Sequence, residues 1–134
     1  MNTFALKIVT PDGLQFDGQV QELIVRATTG DIGVLAGHID VVAPLGMGQA
    51  MVRVDGQKRY AACIGGMLSV VNGQAALVPT TFEWAEAIDV DRANRSAERA
   101  NQVLKDKNAT DTELRLAEAR LKRALVRKGV AERK

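Results

Sequence analysis

Asp89 and Arg92 stand three residues apart in "EWAEAIDVDRANRSAERA", residues 83–100, where Gly-punctuated alternating runs give way to Ala, Arg, Glu and Lys at helical spacing. An Asp at such a boundary is a natural N-cap, its carboxylate accepting from the free amide hydrogens of a first helical turn. Arg92 then lies within reach of Asp89 itself or of Glu86. The same residues permit a second chemistry. A helix start offers unbonded amides, arginine offers a forked guanidinium, and a second cationic helix facing them would complete a site for a polyanion such as a nucleoside triphosphate, with Asp89 accepting from base or ribose. The residues alone leave both roles open.

Elsewhere the chemical inventory is thin. His38 is the single histidine, and Asp40 falls on the same face of a strand, so a general base with an orienting carboxylate can be drawn. No nucleophile accompanies them, and a turn or interface histidine is the simpler reading. Gly30, Gly33 and Gly37 in "TTGDIGVLAGH" match neither G-x-x-x-x-G-K-[ST] nor G-x-G-x-x-G, and no helix follows them, so they read as turns between short strands rather than a phosphate cradle. Cys63, the single cysteine, sits in the apolar run "YAACIGG" and reads as a buried small side chain in a reducing compartment.

The elements that must position these residues fall into two groups. "FALKIVT" alternates and ends in the turn Pro11-Asp12-Gly13, and "VQELIVRA" follows Gly18. Asp55-Gly56 joins "QAMVRV" to "QKRYAACI", and Asn72-Gly73 joins "MLSVV" to "QAALV"; both pairs predict hairpins whose turns require positive φ. Gly65-Gly66 reads as a bulge or a close strand approach. Short strands with no helical pattern between them predict an antiparallel β-sandwich over residues 1–86.

Residues 87–134 predict an antiparallel two-helix hairpin. Ala93, Ala97, Ala100 and Leu104 form one helical seam and Leu114, Ala117, Leu121 and Ala124 another, separated by the polar break "DKNATD". Thr110 with Glu113 is a capping box opening the second helix. Each rod spans about 17 residues, or ~25 Å. The seam is largely Ala, and at roughly 0.8 kcal/mol per buried CH₂ it holds the pair only weakly, so the hairpin can detach or extend unless it is a permanently docked accessory.

Composition bounds the function classes. With 134 residues, 46% hydrophobic and 25% charged, the chain is ordinary globular material. Its first ten residues lack signal-peptide features, and no run approaches the ~20 apolar residues of a membrane span, so a place in or facing the cytosol is expected, without insertion. Charge is uneven: residues 1–87 carry a net −3 and residues 88–134 a net +5, the excess lying beyond Glu113. A basic tail seeks an acidic partner, although a solvated helix face is the plainer explanation. Phe4, Phe16, Tyr60, Phe82 and Trp84 all precede that tail, so no stacking platform for nucleic acid accompanies it. A stand-alone nucleic-acid or scaffold module and a small hydrolase using His38 are the alternative classes.

The chain resembles the epsilon-subunit family of bacterial F-type ATP synthases over its whole length. "KIVTPDGLQFDGQVQELIVRATTGDIGVLAGH" is similar to that family's amino-terminal signature, "CIGGMLSVVNGQAALV" to its Gly-Gly strand pair and "AIDVDRANRSAERA" to its helical start. Ala36 and Asp40 stand where the family usually has proline, and Met67 where it commonly has an aromatic. The resemblance implies a β-sandwich with a helical hairpin and no active site of its own. It implies a rotor-stalk protein at the cytoplasmic face of the bacterial membrane, docked on the gamma subunit and the c-ring, with Asp31 and His38 in the loop turned toward those partners. It also implies a hairpin that either folds against the sandwich or extends along gamma into the alpha/beta head. There the basic second helix, with Arg120, Lys122 and Lys128, meets acidic segments and blocks ATP hydrolysis.

Some members bind ATP as a regulatory ligand in the folded form through an I-D-x-x-R-A motif. Here the motif is complete as Ile88, Asp89, Arg92 and Ala93, with Glu83 before it and Arg99 two turns on. Two further arginines of the family's site match Arg123 and Arg127 with one extra residue in the helix–helix turn. Whether Mg²⁺ accompanies the ATP is left open.

Overall fold

The computed structural model describes residues 2–133. Ten strands precede two helices. They are β1 (Phe4–Thr10), β2 (Gly13–Val20), β3 (Glu22–Ala27), β4 (Gly30–Val34), β5 (Val41–Pro44), β6 (Met47–Val54), β7 (Gln57–Ile64), β8 (Met67–Val71), β9 (Gln74–Val78) and β10 (Thr81–Trp84). A single 3₁₀ turn, Ala85–Ala87, leads into α1 (Val90–Lys105) and α2 (Asp111–Ala131).

The strands form two five-stranded sheets, ordered β2-β1-β9-β8-β5 and β10-β7-β6-β3-β4. Alternation places Leu6, Ile8, Leu23, Val25, Val52, Leu68 and Leu77 between them as one core. Every residue of that core lies between Phe4 and Trp84, so the sandwich closes without the helices. One pairing departs from the expected antiparallel pattern: β1 runs parallel to β9, Leu6 opposite Ala75 and Ile8 opposite Leu77. The chain reaches β9 only after crossing to the second sheet and back, and such a return brings a strand in along the same direction.

Both predicted hairpin turns have the required backbone. Asp55 and Gly56 have φ of 51° and 78°, and Asn72 and Gly73 of 52° and 75°. Gly66 marks a close approach, since a Cβ there would lie 2.0 Å from the Val78 carbonyl oxygen. β2, β4, β5 and β10 were not delineated from the sequence, and of the glycines read as turns Gly30 and Gly33 lie in β4, where a strand tolerates them, while Gly37 is in a turn. Val20, read as the start of "VQELIVRA", instead ends β2, an edge strand exposed along most of its length.

Asp89 caps α1, its Oδ1 accepting from the Arg92 amide at 3.0 Å, and the capping box opens α2, the Glu113 amide donating to Thr110 Oγ1 at 3.1 Å. The seam buries Ala93, Ala97, Ala100, Ala117 and Ala124 between the helices. A second set of contacts lies outside the expected seam. Val130 and Ala131, at the end of α2, pack with Ala62 of β7, Ala85 and Ile88, with Tyr60 and Val126 at the margin. The hairpin is therefore docked, fastened at the end of α2 that returns beside the 3₁₀ turn. Arg59 braces that corner, its guanidinium 3.7 Å from the centre of the Trp84 ring and hydrogen-bonded to Glu86 at 3.1 Å. Among the described residues no helix is long and apolar enough to cross a membrane.

Candidate functional site

Between the helices and the sandwich lies a cleft of about 560 Å³, within the ~300–1,000 Å³ typical of small-molecule sites. Each wall comes from a different element. The start of α1 supplies Asp89, Arg92, Ala93 and Ser96, α2 supplies Arg120, Arg123 and Arg127, and the sandwich supplies Asp12, Thr81 and Glu83. Spacing explains the α2 contribution, because residues 120, 123 and 127 follow the i, i+3, i+7 repeat that lines one helical face. Alternation explains Glu83: Phe82 and Trp84 point into the sandwich core, leaving Glu83 on the outer face under α2.

Charge in the cleft is unbalanced in a particular way. Arg127 donates from Nε to Glu83, and both are half-buried. Asp89 is occupied by the cap but keeps acceptor capacity, since a carboxylate offers about four lone-pair sites. Among the described residues no carboxylate lies within 4.0 Å of the guanidinium groups of Arg92, Arg120 or Arg123. The alternative local pairing of Arg92 with Glu86 is not made; Glu86 pairs with Arg59. The Arg92 and Ala93 amides at the start of α1 are already bonded to Asp89, so the cleft's positive character comes from its arginine side chains. Unpaired guanidiniums make an anion site, and the partly polar sandwich wall can take a less charged group.

Of the expected ATP residues, Glu83, Asp89, Arg92, Ala93, Arg123 and Arg127 share this cleft. Ile88 does not line it; its side chain is buried in the docking cluster next to Asp89. Arg99 borders a separate depression toward the helix–helix turn, with Gln102 and Glu113. Arg120, expected to face a partner, lines the cleft in this folded arrangement, and Asp12 joins it from the β1–β2 turn without any local sequence signal.

The remaining candidates are dispersed. Asp31 pairs with Arg26 at 2.9 Å. His38 donates from Nδ1 to the Ile39 carbonyl at 2.7 Å, an acceptor that fixes the tautomer. Asp40 Oδ1 accepts from the Asn72 amide at 2.9 Å, so it anchors the β8–β9 turn and does not orient His38. Lys122 borders the opposite side of α2, and Lys128 is half-buried. Burial between the sheets pushes the Cys63 thiol up to about 12. Among the described residues no group of three His, Cys, Asp or Glu side chains is placed to hold a metal ion.

Two family models account for nearly the whole chain: the ATP synthase delta/epsilon chain β-sandwich domain over residues 3–85, and the delta/epsilon long α-helix domain over residues 86–132. The chain belongs to the ATP synthase delta/epsilon family. Within it, the ATP synthase epsilon chain of Bacillus velezensis is 43% identical over 131 residues, 98% of either chain. That of Bacillus mycoides is 38% identical over the full 134 residues of both. A chain in the cryo-EM structure of the Euglena gracilis mitochondrial ATP synthase (OSCP/F1/c-ring, rotational state 1) superposes with a TM-score of 0.84 at 22% identity, covering 95% of this chain and 80% of that one. At that identity the likeness bears on the delta/epsilon fold alone.

Proposed function

We propose that this epsilon-family chain is a non-catalytic central-stalk subunit of an F-type ATP synthase, which couples the catalytic head to the c-ring and restrains ATP hydrolysis through its hairpin. ATP, bound in the arginine cleft, favours the folded hairpin and so relieves the restraint. The observation that carries this reading is the convergence of Arg92, Arg120 and Arg123, three guanidiniums without a carboxylate partner among the described residues, on one cleft walled by both helices and the sandwich. A triphosphate there would neutralise them, while Asp89 retains acceptors for ribose or base. A ligand that touches both modules binds only when they are together, and shifts the equilibrium by its differential affinity.

The outer face of the first sheet supports the docking part of the proposal. Val42, Met67, Val71 and Val78 are exposed there, an apolar face suited to the gamma subunit. Asp31 and His38 lie in the segment proposed to meet the c-ring, and Arg120, Lys122 and Lys128 belong to the helix proposed to meet acidic parts of the alpha/beta head once extended. The proposed position is peripheral, at the cytoplasmic face of the bacterial membrane, held by those partners.

Titration calorimetry of the full chain with millimolar ATP tests the ligand. Binding should be measurable, and Arg92→Ala should weaken it about 10- to 100-fold, as expected for a charge-assisted hydrogen bond of ~1.5–3 kcal/mol. Helix content should hold, because the cap uses the Arg92 amide and not its side chain. No heat, together with unchanged amide spectra, would leave the cleft as surface electrostatics.

A further inference from the structure

On the side of α2 away from the arginine cleft lies a larger one, about 940 Å³, between α2 and the uncovered part of the second sheet. Its floor is largely apolar: Ile24, Met47 and Met51 from the outer face of β3 and β6, with Gln49 between the two methionines and Val126 of α2 as one wall. Arg26 lies along one edge, its stem passing over Gly48, where a Cβ would come within 2.5 Å of it, and its charge is neutralised by Asp31 at 2.9 Å. The other cations are not neutralised. Lys58, Lys122 and Arg133 border the cleft, and none has a carboxylate within 4.0 Å among the described residues. Arg133 packs over the Tyr60 ring at 5.2 Å, a contact that positions the guanidinium without cancelling its charge.

We infer that this cleft is a docking groove for a protein segment in which acidic side chains flank apolar ones. Three unpaired cations around the groove select for negative charge. The apolar floor selects against a simple anion, which would leave that surface wet, and methionine side chains adapt to varied apolar partners. The volume exceeds what a lone phosphate fills and suits a short peptide segment. Lys122 and Val126 belong to α2 and Arg133 to the turn just after it, while the floor belongs to the sandwich, so the groove exists only with the hairpin docked. A segment bound here stabilises the same arrangement as a ligand in the arginine cleft, and by linkage each tightens the other. The inference does not depend on ATP being that ligand.

The test uses the full chain and a labelled peptide of about twelve residues alternating Glu and Val, with Lys–Val and all-Glu peptides as controls. Anisotropy should show salt-sensitive binding of the Glu–Val peptide, about tenfold or more tighter than either control. Lys58→Glu combined with Lys122→Glu should abolish the preference while leaving the melting temperature within a few degrees. The methionine methyl groups give a readout that needs no variant, because Met47 and Met51 lie in the groove and Met67 is exposed on the opposite sheet. Peptide should shift the Met47 and Met51 resonances and leave Met67 in place. Equal binding of the all-Glu peptide, shifts at Met67 in place of the other two, or no binding would overturn the inference.

Discussion

Val130→Ala isolates the docking of the hairpin from its formation. Val130 is 2% exposed, and the residues it packs against are Ala62, Ala85, Ile88 and Ala131, so it takes no part in the Ala seam between the helices. Removing two methyl groups forfeits about 1.6 kcal/mol at ~0.8 kcal/mol per carbon, and the cavity left behind adds to that. Alanine forms helix better than valine by roughly 0.5 kcal/mol, so α2 itself gains. The net cost, about 1–2 kcal/mol, falls on docking and should lower the docked-to-undocked ratio some 5- to 30-fold. A donor–acceptor pair on the sandwich and at the helix–helix turn reads that ratio directly, with circular dichroism confirming unchanged helix. An unchanged ratio, or a cost appearing in the sandwich melting transition, would show that Val130 is not what fastens α2.

Truncation after Ala87 should leave a sandwich with its own cooperative unfolding transition, since no helix residue enters the main core; a non-cooperative melt of residues 1–87 would contradict this. Cys63 should resist thiol reagents in the folded chain at pH 8. Its pKa is raised on folding, so the folded state favours the neutral thiol; that contribution is complete below about pH 9 and is lost as pH rises from there toward 12. Cys63→Ser should flatten this alkaline loss, as followed by chemical denaturation between pH 8 and 11.

Strands that alternate over a buried face, and turns whose residues demand positive φ, were legible in the sequence, as were both helix caps. β2 was not, because as an edge strand it carries little burial periodicity in "GLQFDGQV". The parallel pairing of β1 with β9 depends on which strands return to which sheet, a property of topology rather than local pattern. The docking residues Val126, Val130 and Ala131 were hidden because α2 buries two faces, and the Ala–Leu seam accounts for only one of them. In the cleft, motif spacing located the α1 wall, and the family resemblance rather than any local pattern named Glu83, Arg123 and Arg127 on the other walls. Arg120 and Asp12 enter because the rotation of α2 and the place of the β1–β2 turn are set by packing, and Arg99 lies farther along α1, beyond the cleft.

The fastening of α2 has a mechanical side. Its contacts gather at Val130, Ala131 and Arg127, next to the 3₁₀ turn about which α1 would swing, whereas the free tip at residues 106–110 stands about 24 Å away along the 16 residues of α1. A push on that tip acts through the full length of the arm, while the contacts resist close to the pivot. Modest force at the tip can therefore exert enough torque to part contacts that hold firmly against thermal motion alone. Moving the same apolar contacts outward along the arm would stiffen the joint without adding a single atom to the interface.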